Sequence, residues 1–260
     1  ADAGEVADGV RILTLRTAGG EEEVRARVVV DAAGLAGIRR VEAPSGGGAR
    51  IGVGAVFPAA AGDLAPGWIH MFAADAGYVG VVRQEDGTLD VAGALDPDWI
   101  RRHGGPARAV EAHLERAGGE APRGEPLEGW RGTPPLTWRP ASVAEDRLFR
   151  VGDAAGYVEP FTGEGMAWAL GGAALLAPLL DEAARGWWPG VADRWARIHA
   201  REIAGRQRIC RSVARLSRHP YLSREAIRWS GYLPRAAALM AGALARPFPL
   251  TGLSPGIAPS

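Results

Sequence analysis

One stretch constrains this chain more than any other: Arg150-Val-Gly-Asp-Ala-Ala-Gly-Tyr-Val-Glu-Pro-Phe-Thr-Gly-Glu-Gly-Met-Ala-Trp-Ala-Leu170. A short apolar strand, Arg147 to Val151, runs into the loop Gly152-Asp153-Ala-Ala-Gly156. A second glycine-rich turn then opens a helix of small residues, from near Gly163 to about Ala184. An aspartate fixed at a strand end accepts hydrogen bonds from the hydroxyls of a sugar-like chain, and Gly163 and Gly165 let a ligand approach bare backbone N–H groups. The helix start adds positive potential at the same place. Glycine weakens a helix interior, so Gly171 and Gly172 imply close approach of a neighbouring strand or ligand ring.

An earlier segment has a related form. Val10 to Leu15 and Val24 to Val30 read as strands around the turn at Gly19 and Gly20. The second ends as Val28, Val29 and Val30 running into Asp31-Ala-Ala-Gly34, the pattern of a buried parallel strand whose C-terminal end meets a ligand crevice. Between the two segments lie short β-rich runs, Ile51 to Phe57, Trp68 to Phe72, Tyr78 to Arg83 and Thr88 to Leu95, which imply an antiparallel sheet. A helix is expected from Pro106 to Ala117, with Pro in its first turn and Gly118 past its end. Trp130 to Arg139 contains Pro134 and Pro135, so it should be extended without being a central strand. Val191 to Leu216 reads as one long helix, with two shorter ones across Tyr221 to Ala245.

Composition excludes several classes of function. The 30 basic and 30 acidic residues leave a formal net charge of +0, so no global field gathers nucleic acid, and none is expected as a partner. Every basic residue is Arg, which excludes Schiff-base chemistry at a lysine. Cys210 is the only cysteine, so no internal disulfide or thiolate metal cluster forms, in keeping with a reducing, cytoplasmic compartment. The five histidines show no H-E-x-x-H pattern, and no metal site is expected. No G-x-S-x-G nucleophile elbow is present. No apolar run approaches the roughly 20 residues that span a bilayer.

The stretch VGDAAGYVEPFTGEGMAWAL resembles the second flavin fingerprint of the geranylgeranyl reductase family and related aromatic-hydroxylase-type flavoproteins. The resemblance implies that Asp153, preceded by Gly152, binds a ribityl chain, and that Pro160, Gly163, Glu164, Gly165 and the adjoining Met166 lie along the flavin ring. Val30-Asp-Ala-Ala-Gly-Leu-Ala-Gly-Ile-Arg-Arg40 similarly resembles the family's strand-end motif, which brings Asp31 and Gly34 close to the cofactor. A helix N-terminus aimed at N1 and O2 of a reduced flavin would stabilise its negative charge. The implied cofactor is FAD, with NAD(P)H as reductant and a small, lipid-like organic molecule as substrate.

The implied architecture is α/β: a partial FAD/NAD(P)-binding Rossmann-like domain with an inserted antiparallel substrate sheet and a helical C-terminal tail. Residues 1–45 and 141–186 would form the FAD portions, 46–140 the substrate domain and 187–260 the helical region. Departures from the family are informative. No G-x-G-x-x-G opens a helix after a strand, and the polar, Gly-dotted start from Ala1 to Gly9 reads as a mid-protein loop, so the expectation is a chain without the N-terminal pyrophosphate cradle. Asp31 is followed by Ala32 rather than the Gly usual in hydroxylases, which favours hydride transfer to a double bond over aromatic hydroxylation. A non-catalytic fragment unable to hold FAD alone is the competing expectation. Finally, Arg194, Arg197, Arg201, Arg208, Arg211, Arg215 and Arg218 form a basic stripe beside Trp195 and Ile198, suited to peripheral contact with an anionic membrane.

Overall fold

The computed structural model describes residues 2–37, 49–62 and 64–216, with the single residues Arg228, Gly242 and Phe248. They fall into two compact units, one drawn from Ala1–Pro44, Trp138–Cys210 and Ala238–Ser260, the other from Ser45–Thr137 and Arg211–Ala237.

The first unit begins with an antiparallel meander, β1 (Asp2–Ala7), β2 (Val10–Thr17) and β3 (Gly20–Ala26). The opening residues are therefore a strand and not the loop their polarity suggested: pairing to β2 decides their conformation. The expected strand Val24 to Val30 also divides. The chain leaves β3 at Ala26, and β4 (Val29–Asp31) joins a different sheet. There it lies parallel to β11 (Leu148–Arg150), which pairs antiparallel with β10 (Ala144–Glu145). Leu148 and Phe149 are fully buried, as expected of a strand covered on both faces.

Helix α3 (Gly165–Arg185) buries Trp168, Gly171, Gly172, Leu176, Leu179 and Ala183 at steps of three and four, one face of a 3.6-residue period. Phe149, Val151, Trp195, Ile203 and Cys210 complete its core. The long helix expected from Val191 breaks at Ile203 into α4 (Gly190–Glu202) and α5 (Ala204–Leu216). Gly205 follows the break, where a helix is least stabilised, and the buried stripe Trp195, His199, Ile203, Gln207 continues through it. Residues 190–210 thus share the core of α3. The helices expected across Tyr221 to Ala245, and Arg218, lie outside the described residues apart from Arg228 and Gly242. No described helix is long and apolar enough to cross a membrane.

The second unit is a five-stranded sheet of order β6-β7-β8-β5-β9, all neighbours antiparallel, from β5 (Ile51–Phe57), β6 (Ile69–Ala74), β7 (Gly77–Arg83), β8 (Leu89–Leu95) and β9 (Arg131–Pro135). Val53, Phe57, Val79, Val81, Leu89 and Val91 pack on Val110 and Leu114 of α2 (Pro106–Arg116). A short α1 (Pro97–Arg102), too brief to show a period, precedes it. β9 is an edge strand, the position in a sheet where proline is tolerated.

Candidate functional site

The site is built where the two parallel strands end. Arg150 stands opposite Asp31 in register, and the Val151 N–H donates to the Asp31 carbonyl at 3.0 Å, so both chains leave the sheet side by side. Loops leaving the C-terminal ends of adjacent parallel strands frame the ligand crevice of open α/β sheets.

Local constraints shape each loop. Gly152 has φ +58, and a Cβ there would meet Ala169 Cβ at 3.3 Å, so glycine lets α3 seat against the turn carrying Asp153. Beyond it, Pro160–Thr162 form a single 3-10 turn closed by Gly163, whose φ of +71 is left-handed. At Gly163 and Gly165 an added Cβ would meet nothing within 4 Å. Packing therefore gives no reason for glycine at Gly165, whereas close approach of a ligand does. The first amide bond of α3 runs from Trp168 N–H to the Glu164 carbonyl at 3.1 Å, and no side chain caps the helix. The N–H groups of Gly165, Met166 and Ala167 lack partners within the helix.

A cavity of about 530 Å³ opens between these loops, lined by Ala32, Gly34, Gly152, Asp153, Tyr157, Pro160, Gly163 and Gly165, and along α3 by Met166, Ala169, Leu170 and Ala173. The last four lie at steps of three and four, so a single helix face forms an apolar wall; Met166 and Leu170 are 79% and 74% exposed. Burial raises the carboxyl pKa of Asp153, with no hydrogen bond or cation offsetting it. Tyr157 is also raised, first by burial and then by the charges of Asp153 and Glu159.

Of the nine residues singled out from the sequence, Gly34, Gly152, Asp153, Pro160, Gly163, Gly165 and Met166 line this cavity; Asp31 and Glu164 do not. Asp31 is 1% exposed, pairs with Arg150 at 3.9 Å and accepts the Ala33 N–H at 3.1 Å, so it braces the loop from behind. Glu164 contributes its backbone at the start of α3. Tyr157 was not anticipated. Its position directly after the GDAAG turn was the available signal. His70 is half-buried on β6 in the second unit, with its Nε2 buried and without a partner among the described residues. Trp195 is fully buried on the T-shaped contact with His199, Arg194 pairs with Glu182 and Arg201 with Glu202. The apolar flank that would accompany the basic stripe onto a membrane is thus partly used in the protein core.

No family model and no curated protein matches the sequence. Solved structures do match its fold. An anhydrotetracycline hydroxylase from Streptomyces rimosus aligns with a TM-score of 0.69 at 18% identity over 94% of this chain and 50% of its own. A geranylgeranyl bacteriochlorophyll reductase-like protein from Thermoplasma acidophilum gives 0.66 and 18% over 84% and 57%, and a flavin-dependent halogenase 0.60 and 19% over 80% and 40%. The chain spans about half the length of these proteins or less. What is shared is the fold, a mixed α/β architecture with antiparallel sheets.

Proposed function

We propose that this chain is part of an FAD-dependent oxidoreductase and that its cavity holds the ribityl and ring half of the flavin. The observation that carries the reading is the convergence on one cavity of the Asp153 carboxylate, the open amides starting α3 and an apolar helix face. These groups fit the cofactor: the carboxylate would accept polyol hydroxyls, the amides starting α3 would donate to polar atoms of the ring and the Met166–Ala173 face would take apolar surface.

When bound, the flavin supplies hydride transfer, or oxygen activation once reduced. The residues here bind and orient it. Asp153 fixes the polyol, and Gly165 lets the ring reach the backbone. The positive end of α3 stabilises negative charge next to it by roughly 0.3 to 1 kcal/mol, and more in a partly buried setting. Arg150 and Asp31 hold the two loops at a common height. No nucleophile is required of the protein.

The finer reading is hydride transfer, with NAD(P)H as ultimate reductant, to a double bond of an isoprenoid-like or other small organic molecule. It is supported by the reductase-like fingerprint and by Ala32 after Asp31. The sheet of the second unit leaves an uncovered face of Gly54, Val56, Ile69, Met71, Gly80 and Ala92, a suitable apolar surface for such a substrate. The hydroxylase and halogenase among the fold relatives favour oxygenation as a second reading.

Equilibrium dialysis of the purified chain against FAD and riboflavin tests the binding claim; retention of neither removes it. Assays with NAD(P)H then separate the two chemistries, since a saturated product without oxygen uptake supports reduction and substrate-dependent oxygen uptake supports oxygenation.

A further inference from the structure

The Asp153 carboxylate can only accept hydrogen bonds, so alone it does not distinguish a hydroxyl from any other donor. Tyr157 lines the same cavity four residues on. Its backbone is held by a two-bond bridge to one residue: Trp138 N–H donates to its carbonyl at 3.2 Å, and its own N–H donates to the Trp138 carbonyl at 3.1 Å. Gly156 before it has φ +125, and its carbonyl accepts from the buried Gln207 Nε2 at 3.1 Å. A left-handed glycine followed by this bridge fixes the direction in which the phenol leaves the chain. The ring is half-buried on the cavity wall. The nearby negative charges and burial both keep the proton on the phenol, so it is a donor across the physiological range.

We infer that Tyr157 is a specificity-determining residue, its O–H donating to the polyol chain whose hydroxyls Asp153 accepts, so that the pair selects a vicinal diol over a chain lacking one. The inference rests on the flavin reading of the cavity and adds a residue and a selectivity to it. A site that hydrogen-bonds a hydroxyl from both sides discriminates against an analogue without it, because its own polar groups are then left unpaired.

The test is equilibrium dialysis of the 260-residue chain and Tyr157→Phe against riboflavin and against lumiflavin, which carries a methyl group in place of the polyol. The parent should prefer riboflavin. Tyr157→Phe should lower riboflavin affinity about three- to tenfold while leaving lumiflavin affinity and the unfolding midpoint unchanged. Equal riboflavin affinity in parent and variant overturns the role of Tyr157 and leaves the flavin reading intact, as does a parallel fall for both ligands, which marks a packing role. If the parent retains neither ligand, the cavity reading and this inference fail together.

Discussion

Asp31 and Arg150 end two parallel strands directly opposite each other, and their buried side chains pair at 3.9 Å. Arg150 also donates to the Ser142 carbonyl and to Glu145, each at 2.7 Å, so one guanidinium ties β4, β11 and the turn before β10 together. Removing a buried cation from such a network costs about 3 kcal/mol. Arg150→Met should accordingly lower the stability of the first unit by that order in a denaturant titration, and loosen ligand binding with it. A loss below about 1 kcal/mol would show that the pairing braces nothing.

Asp153→Ala should weaken flavin binding by about tenfold, the effect of losing a hydrogen bond to a charged group. The pH profile carries a sign. Because burial raises the Asp153 pKa, the carboxylate protonates on acidification before an ordinary aspartate does, and its capacity to accept two hydroxyls falls with it. Affinity measured by dialysis should decline on going down in pH, starting above the usual carboxylate value of 3.8, and Asp153→Ala should abolish that decline.

Gly165→Ala separates ligand from fold. An added Cβ meets no atom of the chain, and alanine favours the helix by up to about 1 kcal/mol, so stability should hold or rise. Flavin affinity should fall severalfold because the methyl group stands where the ligand approaches the amide. Unchanged affinity in the dialysis assay would mean that the opening of α3 touches no ligand.

His199 should make the first unit acid-sensitive. Burial, aided by the Arg139 charge, lowers its pKa from 6.5 to about 4, so the unfolded chain takes up a proton that the folded one refuses. Stability is complete above pH 6.5 and is lost as pH falls from 6.5 toward 4, by roughly 3 kcal/mol in all. His199→Leu should flatten the unfolding midpoint of the first unit over that interval.

The sequence was most readable where local chemistry leaves few choices. The span of β5 and the first residue of α2 follow from apolar runs bounded by Gly and Pro, and the turn around Gly163 from the need for positive φ. Most of the cavity was legible for the same reason. Pairing partners were not: nothing in Val24 to Val30 announces that its last two residues leave one sheet for another, because that choice is made by β11, more than a hundred residues away. Asp31 looked like a ligand contact because a carboxylate at a strand end reads alike whether it faces a cavity or a buried arginine. Tyr157 was marked only by its place after the GDAAG turn, since the bridge to Trp138 that orients it is not written in the local sequence.

The prolines of β9 have a consequence for the behaviour of the protein at high concentration. Pro134 and Pro135 sit at the outer margin of the five-stranded sheet, where successive amides face opposite edges, so the pair removes one donor that an incoming chain would have met. Intermolecular strand addition, the usual route by which an open β edge recruits copies of itself into aggregates, is weakened on that side by covalent structure.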